Sequence, residues 1–328
     1  MKALKVLVGL VLLLLAVYYL GPQVSFDPPV DARIEPMKMS LDSLDKYVKS
    51  RDMSLANLKP DNESRIIWAD SIRKTRYSIV YLHGFSASPM ESNPTHFNLA
   101  KELGYNLYLP LLPGHGLDDN ESFVDIEPNV LINAAKEAIA IAQLLGEDVI
   151  VMSCSTGSTL SIYLAAENKE MIDFLLMYSP NIALADPTAK LVTGPWGKQI
   201  VKSVVGDYWN PAGAGEGDGL KYWTTTYRSE GLISLQALID YTMKEEVFEK
   251  VDQPYFLGYY YKNEEERDPT VSTDAMLWFN QNTVTATNDK MVIAFPDVEA
   301  HVITNPIKSK NVAAVYDSTM NFLRKVLN

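Results

Sequence analysis

The chain has a single cysteine, Cys154, among 328 residues. No disulfide can close within it, and no cysteine-based zinc site can be assembled. Histidine is nearly as scarce: His83, His96, His115 and His301 are the four. None falls in an HExxH pair or a tight ligand cluster, so neither a metal nor a cofactor is implied. Positive charge is in the minority, 29 Lys and Arg against 41 Asp and Glu, for a net charge of −12. An acidic surface repels phosphate backbones, which sets nucleic acid aside as a partner. The charge otherwise serves solubility and selects no substrate. No internal repeat occurs at a solenoid period. What remains is ordinary globular composition, with 47% hydrophobic and 21% charged residues. The length suits one large core carrying an inserted or appended part.

There is one long apolar run, Val6 to Leu20, preceded by Lys2 and Lys5. As a helix those residues would span about 22 Å, short of a hydrocarbon core of about 30 Å. The shape is that of a signal peptide, but no small-x-small cleavage site closes it, and Tyr18 and Tyr19 suit a membrane interface. With no cysteine after the run, a lipobox is excluded. The first reading is an uncleaved N-terminal anchor over residues 1–21 with the catalytic domain extracytoplasmic. A cleaved signal, leaving a secreted or periplasmic protein, comes second, and a buried N-terminal helix third. Pro22, Pro28, Pro29 and Pro36 mark an extended linker within the extension 22–64, where Ser40 is placed to cap a short helix to about Val48.

From Arg65 onward strands and helices alternate. Strands are expected at 65–70, 77–82, 105–109, 148–152 and 172–178, and helices at 94–103, 128–145 and from just after Ser155 to about Ala166. Buried apolar strands alternating with helices indicate a mostly parallel sheet covered on both faces. The rhythm breaks over residues 181–251, which lack a clean strand signal. They hold Trp196, Tyr208, Trp209, Tyr222, Trp223 and Tyr227, the flexible glycine-rich stretch Gly213–Gly219 and a helix expected at 233–245. It resumes with strands at 255–261 and 290–295 and a closing helix at 311–327. The sequence therefore divides into a first core part at 65–180, an insertion at 181–251 placed as a cap over the C-terminal edge of the sheet, and a second core part at 252–328. Ligands in open α/β sheets bind at that edge.

The strand Val149–Met152 runs into Ser153-Cys154-Ser155-Thr156-Gly157. A serine on a sharp strand-to-helix turn needs small residues two before and two after it, because strand and helix approach closely there. Gly157 meets this need, and Ser153 replaces the usual glycine with one of the smallest alternatives. Two other frames exist. Cys154 as nucleophile would put Thr156 at the trailing small position, and a small buried hydrophobe is the favoured role for Cys154. Ser153 as nucleophile is weaker still.

Upstream lies Ile79-Val-Tyr-Leu-His83-Gly84-Phe85-Ser86, and after the next strand Pro113-Gly114-His115-Gly116. With these motifs the chain resembles the α/β-hydrolase superfamily, in its carboxylesterase and monoacylglycerol-lipase-like branch, over roughly residues 65 to 327. The resemblance implies an α/β-hydrolase fold with an inserted cap, and an oxyanion hole made by the backbone N–H groups of Phe85 and Thr156. His83 and His115 are then structural hydrogen-bonding residues, and His96 has no assigned role. The fold's order of Ser, then Asp or Glu, then His leaves His301 as the base, since no other histidine follows Ser155. The family's loop Asp followed by Pro-x-Val matches Asp268-Pro-Thr-Val271, with Glu264, Glu265 and Glu266 as fallback in a charged loop.

These residues predict a serine hydrolase of carboxylic esters, with Ser155, Asp268 and His301 catalytic, working through an acyl-enzyme. Its partner is a small-molecule or lipid-like ester, and the cap aromatics either line an apolar pocket for it or only pack the cap. Thioester or amide hydrolysis and acyl transfer use the same triad. A catalytically inactive binding module is the alternative from another class, and the presence of all three residue types in order speaks against it. Dehalogenase chemistry would want an Asp where Ser155 stands.

Overall fold

A computed structural model describes residues 2–210 and 217–327 of the chain. The glycine-rich stretch expected to be flexible lies mostly outside the described residues. The elements in chain order are α1 (Lys2–Tyr19), α2 (Leu41–Arg51), β1 (Arg65–Ile67), β2 (Thr75–Leu82), α3 (Thr95–Leu103), β3 (Asn106–Leu109), α4 (Pro128–Leu145), β4 (Gly146–Cys154), α5 (Thr156–Ala165) and β5 (Phe174–Tyr178). Then come α6 (Gly197–Val204), β6 (Tyr208–Trp209), α7 (Gly219–Tyr222), β7 (Tyr227–Arg228), α8 (Glu230–Thr242), α9 (Glu245–Phe248), β8 (Tyr255–Tyr260), α10 (Thr273–Asn282), β9 (Lys290–Phe295) and α11 (Val312–Val326).

Seven strands form one sheet in the order β1-β3-β2-β4-β5-β8-β9. Every neighbouring pair is parallel except β1 with β3. The central strands are apolar along their length because both faces are covered. On one face β2 and β4 send Val80, Leu82, Val149 and Val151 against α4 and α5. On the other, Ile79, Tyr81, Ile150 and Met152 join Leu99 of α3 and Phe322 of α11. The architecture is the α/β arrangement that the alternation predicts.

Some boundaries differ from the sequence reading, each for a local reason. The first strand stops at Ile67, where the backbone turns away and the Ala69 N–H goes to the Asn106 side chain at 2.9 Å. Strand β4 is longer than expected and starts at Gly146, which passes straight from helix into strand. Its glycine is explained by crowding, since a Cβ would lie 2.3 Å from the backbone N of Ser78 on β2. The long helix expected at 233–245 begins at Glu230 and breaks at Met243, where the backbone leaves helical conformation. Ser40 does cap α2, accepting from the Ser43 N–H at 3.3 Å.

The N-terminal extension is extended through its prolines but is held on the core. The Ile34 N–H donates to Asn168 Oδ1 at 2.7 Å, and Asn168 Nδ2 donates to the Ala32 carbonyl at 2.9 Å. Leu44 and Val48 of α2 are buried. Helix α1 is the exception. It starts at Lys2, earlier than the apolar run suggests, and its 18 residues carry a mean hydropathy of 2.0 with none buried. That length is about 27 Å at 1.5 Å per residue, close to a hydrocarbon core of about 30 Å.

Between β5 and β8 the chain leaves the sheet. It forms short helices, the two-stranded β6-β7 ribbon and α8. This segment returns to the core at several places. The Ala185 N–H bonds the Thr270 carbonyl at 3.0 Å and the Ser272 N–H bonds the Ala183 carbonyl at 2.8 Å. Gly231, at the start of α8, seats on Phe123 and Phe85: a Cβ there would lie 2.7 Å from Phe123 Cβ.

Candidate active site

Parallel pairing in register brings the C-terminal ends of β2, β4, β5, β8 and β9 to one edge. Leu82 stands opposite Ser153, Cys154 opposite Tyr178, Tyr178 opposite Gly258, and Tyr260 opposite Phe295. The loops that leave these ends carry His83–Phe85, Ser155, Asp268 and His301. Four segments far apart in sequence thus converge because they follow strands of one sheet.

Ser155 sits between β4 and α5 with φ 51° and ψ −117°, a backbone conformation that L-residues adopt at a cost of about 1–3 kcal/mol. The surroundings hold it there. Its N–H donates to the Tyr178 carbonyl at 3.0 Å, and its carbonyl accepts from Ser158, Thr159 and Asn181. Gly157 has no room for any side chain, since a Cβ would stand 1.9 Å from the Leu82 carbonyl oxygen and 2.9 Å from that of His83. Ser153, where a glycine is usual, fits because its Oγ is buried within 3.0 Å of Ser158 Oγ and 3.2 Å of Ser161 Oγ on α5.

The tight fit at Gly157 sets up a test of the turn. Gly157→Ala must push backbone, not a flexible side-chain end, so a loss of about 3 kcal/mol or more is expected. Thermal melting reads it directly. An alanine variant melting with the native protein would mean the turn is looser than described.

Asp268 and His301 meet. His301 Nδ1 lies 2.7 Å from Asp268 Oδ2, and the Asp268 side chain is fully buried. Its other oxygen, Oδ1, accepts from the N–H groups of Thr270 at 2.9 Å and Val271 at 3.2 Å. The Asp-Pro-Thr-Val spacing therefore builds a turn that clamps its own carboxylate. Removal from water would lower the His301 pKa. The charge and hydrogen bond of Asp268, with the more distant charge of Glu91, outweigh this and hold it above the ordinary imidazole value. The fallback acids lie in the solvated loop: Glu264 pairs with Arg267 and Glu266 with Lys262.

The other three histidines have the opposite electrostatics. Burial pushes His83 well below the ordinary value, His96 down to about 3 and His115 down to about 4. All three are neutral near pH 7. His83 Nδ1 lies 2.9 Å from the Gly84 carbonyl while Nε2 accepts from the Leu112 N–H at 3.1 Å. Cys154 is buried beside Glu91, and burial raises its thiol pKa well above the usual range, so the nucleophilic thiolate is disfavoured there.

The Phe85 ring stacks with Phe123 at 4.6 Å and meets Tyr227 of β7 edge-on at 5.8 Å. Thr156 begins α5, where helix N–H groups have no intrahelical acceptor. A small apolar cluster stands alongside, formed by Ala87, Met90, Tyr222, Trp223 and Val302. Sequence reasoning did not find Ala87, Met90 or Val302, which carry no motif of their own. The aromatics of residues 181–251 are divided: Tyr222, Trp223 and Tyr227 are buried, Tyr208 is exposed, and Trp196 packs at the end of α1.

The fold and the constellation at its edge define an α/β-hydrolase architecture. The profile of the alpha/beta hydrolase family matches residues 79–303, more than half of the chain, and the chain belongs to that family. Among curated proteins none matches it. Solved structures do. A structure from work on the metagenome-derived lipolytic enzymes LipS and LipT superposes with a TM-score of 0.66 at 14% identity, covering 82% of this chain and 99% of that one. The monoacylglycerol lipase of Paleococcus ferrophilus gives 0.56 at 12% identity, over 79% and 97% of the two chains. A soluble variant of the monoglyceride lipase of Saccharomyces cerevisiae, in complex with a substrate analogue, gives 0.55 at 15%, over 80% and 91%.

Proposed function

We propose that this protein is a serine hydrolase of carboxylic esters. Ser155 is the nucleophile, His301 the general base and Asp268 the acid that orients it. The N–H groups of Phe85 and Thr156 receive the oxyanion. The observation that carries this reading is the 2.7 Å His301–Asp268 pair at the same sheet edge as the strained Ser155 turn. With Nδ1 engaged by Asp268, the ring keeps Nε2 to take the Ser155 proton as the hydroxyl attacks the ester carbonyl. The protonated imidazole then gives that proton to the departing alcohol, and water repeats the cycle on the acyl-enzyme. Negative charge on the former carbonyl oxygen is met by donors already in place, each worth about 2.7–4 kcal/mol in comparable sites.

The substrate class is apolar. Ala87, Met90, Trp223 and Val302 beside the site favour an acyl or alcohol chain, and the lipolytic and monoacylglycerol lipase structures noted above are consistent with a lipid-like ester. Residues 181–251 act as the cap over core parts 65–180 and 252–328. A fluorophosphonate probe should label Ser155 on the intact protein, and a p-nitrophenyl ester panel should show turnover that depends on acyl length. Absence of both labelling and turnover would leave the inactive binding module as the better reading.

Helix α1 serves as a membrane anchor for residues 1–21, followed by the extension 22–64. Its end is fastened to the cap, since Trp196 Nε1 donates to the Val17 carbonyl at 3.0 Å and the Trp196 N–H to that of Pro22 at 2.7 Å. The full chain is expected to enter the detergent-rich phase in a Triton X-114 partition, and a chain lacking residues 1–21 the aqueous phase. Equal partition of the two would remove the anchor.

A further inference from the structure

Glu91 is a buried carboxylic acid that the triad does not use. It lies on the short 3-10 turn Pro89–Ser92, just after the His83-Gly84-Phe85 loop, and is only 2% exposed. Burying such a group is costly unless its partners repay it. Its partners are specific. Glu91 Oε2 accepts from the Gly84 N–H at 2.7 Å and from the Tyr81 hydroxyl at 2.7 Å, and the Cys154 thiol bonds the same carboxyl.

Gly84 is held on its other side as well, by His83 Nδ1 at its carbonyl, 2.9 Å away. A Cβ on Gly84 would lie 2.8 Å from Glu91 Oε1 and 3.3 Å from Ser155 Cβ. Carboxyl, glycine and nucleophile are therefore stacked in direct succession. Glu91 also reaches His301 through its charge. Burial pushes the Glu91 pKa up, against the pull of Gly84 and Tyr81.

We propose that Glu91 is a positioning residue for the oxyanion loop. By fixing the Gly84 N–H it sets the His83–Gly84 peptide, and with the Gly84 carbonyl held by His83 Nδ1 it aims the next N–H, that of Phe85, at the developing oxyanion. A carboxylate does this where an apolar side chain would leave a buried N–H and hydroxyl unpaired. The inference rests on the serine-hydrolase reading of Ser155.

The test compares Glu91→Ala and Glu91→Gln with the native enzyme, using a p-nitrophenyl ester and an alkyl trifluoromethyl ketone. With the ketone, Ser155 Oγ adds to the carbonyl carbon, its proton passes to His301, and the charge lands on the former carbonyl oxygen. Inhibition thus reports the oxyanion donors without turnover. Glu91→Ala is expected to lower kcat roughly 10- to 100-fold with KM within about twofold, and to weaken ketone inhibition by a similar factor. Glu91→Gln retains an oxygen acceptor for Gly84 and should stay within about threefold of native in both.

If Glu91→Ala does not fold, Tyr81→Phe combined with Glu91→Leu removes both buried polar partners together and still leaves the Gly84 N–H without its acceptor. The same losses are expected there. A folded variant without the acceptor that keeps native kcat, or loses kcat with unchanged ketone inhibition, overturns the proposal. An inactive native enzyme would overturn the hydrolase reading instead, so the two failures are distinguishable.

Discussion

Replacing Ser155 with alanine is expected to lower kcat for p-nitrophenyl ester hydrolysis by about 100,000-fold and to abolish fluorophosphonate labelling. The change removes only Oγ. The turn itself is made by backbone contacts to Tyr178, Ser158, Thr159 and Asn181 and by the crowding at Gly157, none of which needs the hydroxyl. The variant should therefore fold and still bind substrate. A residual rate above water is expected, because oxyanion donors and binding act without the nucleophile. Single-turnover assays on the folded variant decide the matter, and a rate within about tenfold of native would remove Ser155 from the mechanism. Neighbouring Cys154 offers no rescue, since its thiol is buried and its pKa raised well above the usual range by that burial.

The second large effect is expected at Asp268→Asn, about 10,000-fold in kcat. The amide oxygen can still accept from Thr270 and Val271, so the turn survives. Its NH2 group then faces His301 Nδ1 and donates to it. That places the imidazole proton on Nε2, the nitrogen that has to receive the Ser155 proton. The pH profile gives an independent reading. A His301 acting as base, as proposed, works only when neutral, and its pKa is held above the ordinary imidazole value, so kcat/KM should fall as pH drops through a point above about 6.5. Without the Asp268 charge, desolvation dominates and the acid limb should move to lower pH. The linked stability has the opposite sense. A raised folded-state pKa adds stability that is fully present below the unfolded value of about 6.5 and is lost as pH rises through the folded value. Melting curves of native and Asp268→Asn protein across that window should converge at the alkaline end. An unchanged acid limb in the variant would take His301 out of the role of base.

Much of this architecture is written locally. Apolar strands alternating with amphipathic helices specify a covered parallel sheet, and a small-residue turn between Met152 and Leu160 specifies a strand-to-helix corner. The segment 181–251 is less legible. Its two-residue strands Tyr208–Trp209 and Tyr227–Arg228 are too short to leave a period, and exist because they pair with each other. Whether Ser153 could stand in for a glycine could not be judged from the chain either, because its hydrogen-bond partners Ser158 and Ser161 come into range only when α5 folds back on β4.

The residue missed altogether is Glu91. In sequence it is one acid in a loop, indistinguishable from the solvated Glu264, Glu265 and Glu266. Only the folded chain separates them, by burying Glu91 between Tyr81, Gly84 and Cys154 and leaving the other three in water. The sequence by itself determined the order of the core strands and helices and the turn at Ser155, because periodicity and residue size are local properties, while His301 and Asp268 stood as candidates through the family resemblance. Tertiary structure alone decided that Asp268 and His301 stand 2.7 Å apart, that burial holds three of four histidines below the ordinary imidazole value, and that one glutamate grips Gly84 beside Ser155. Distance, burial and dielectric surroundings are created when strands distant in the chain pair in register, and no single segment carries them.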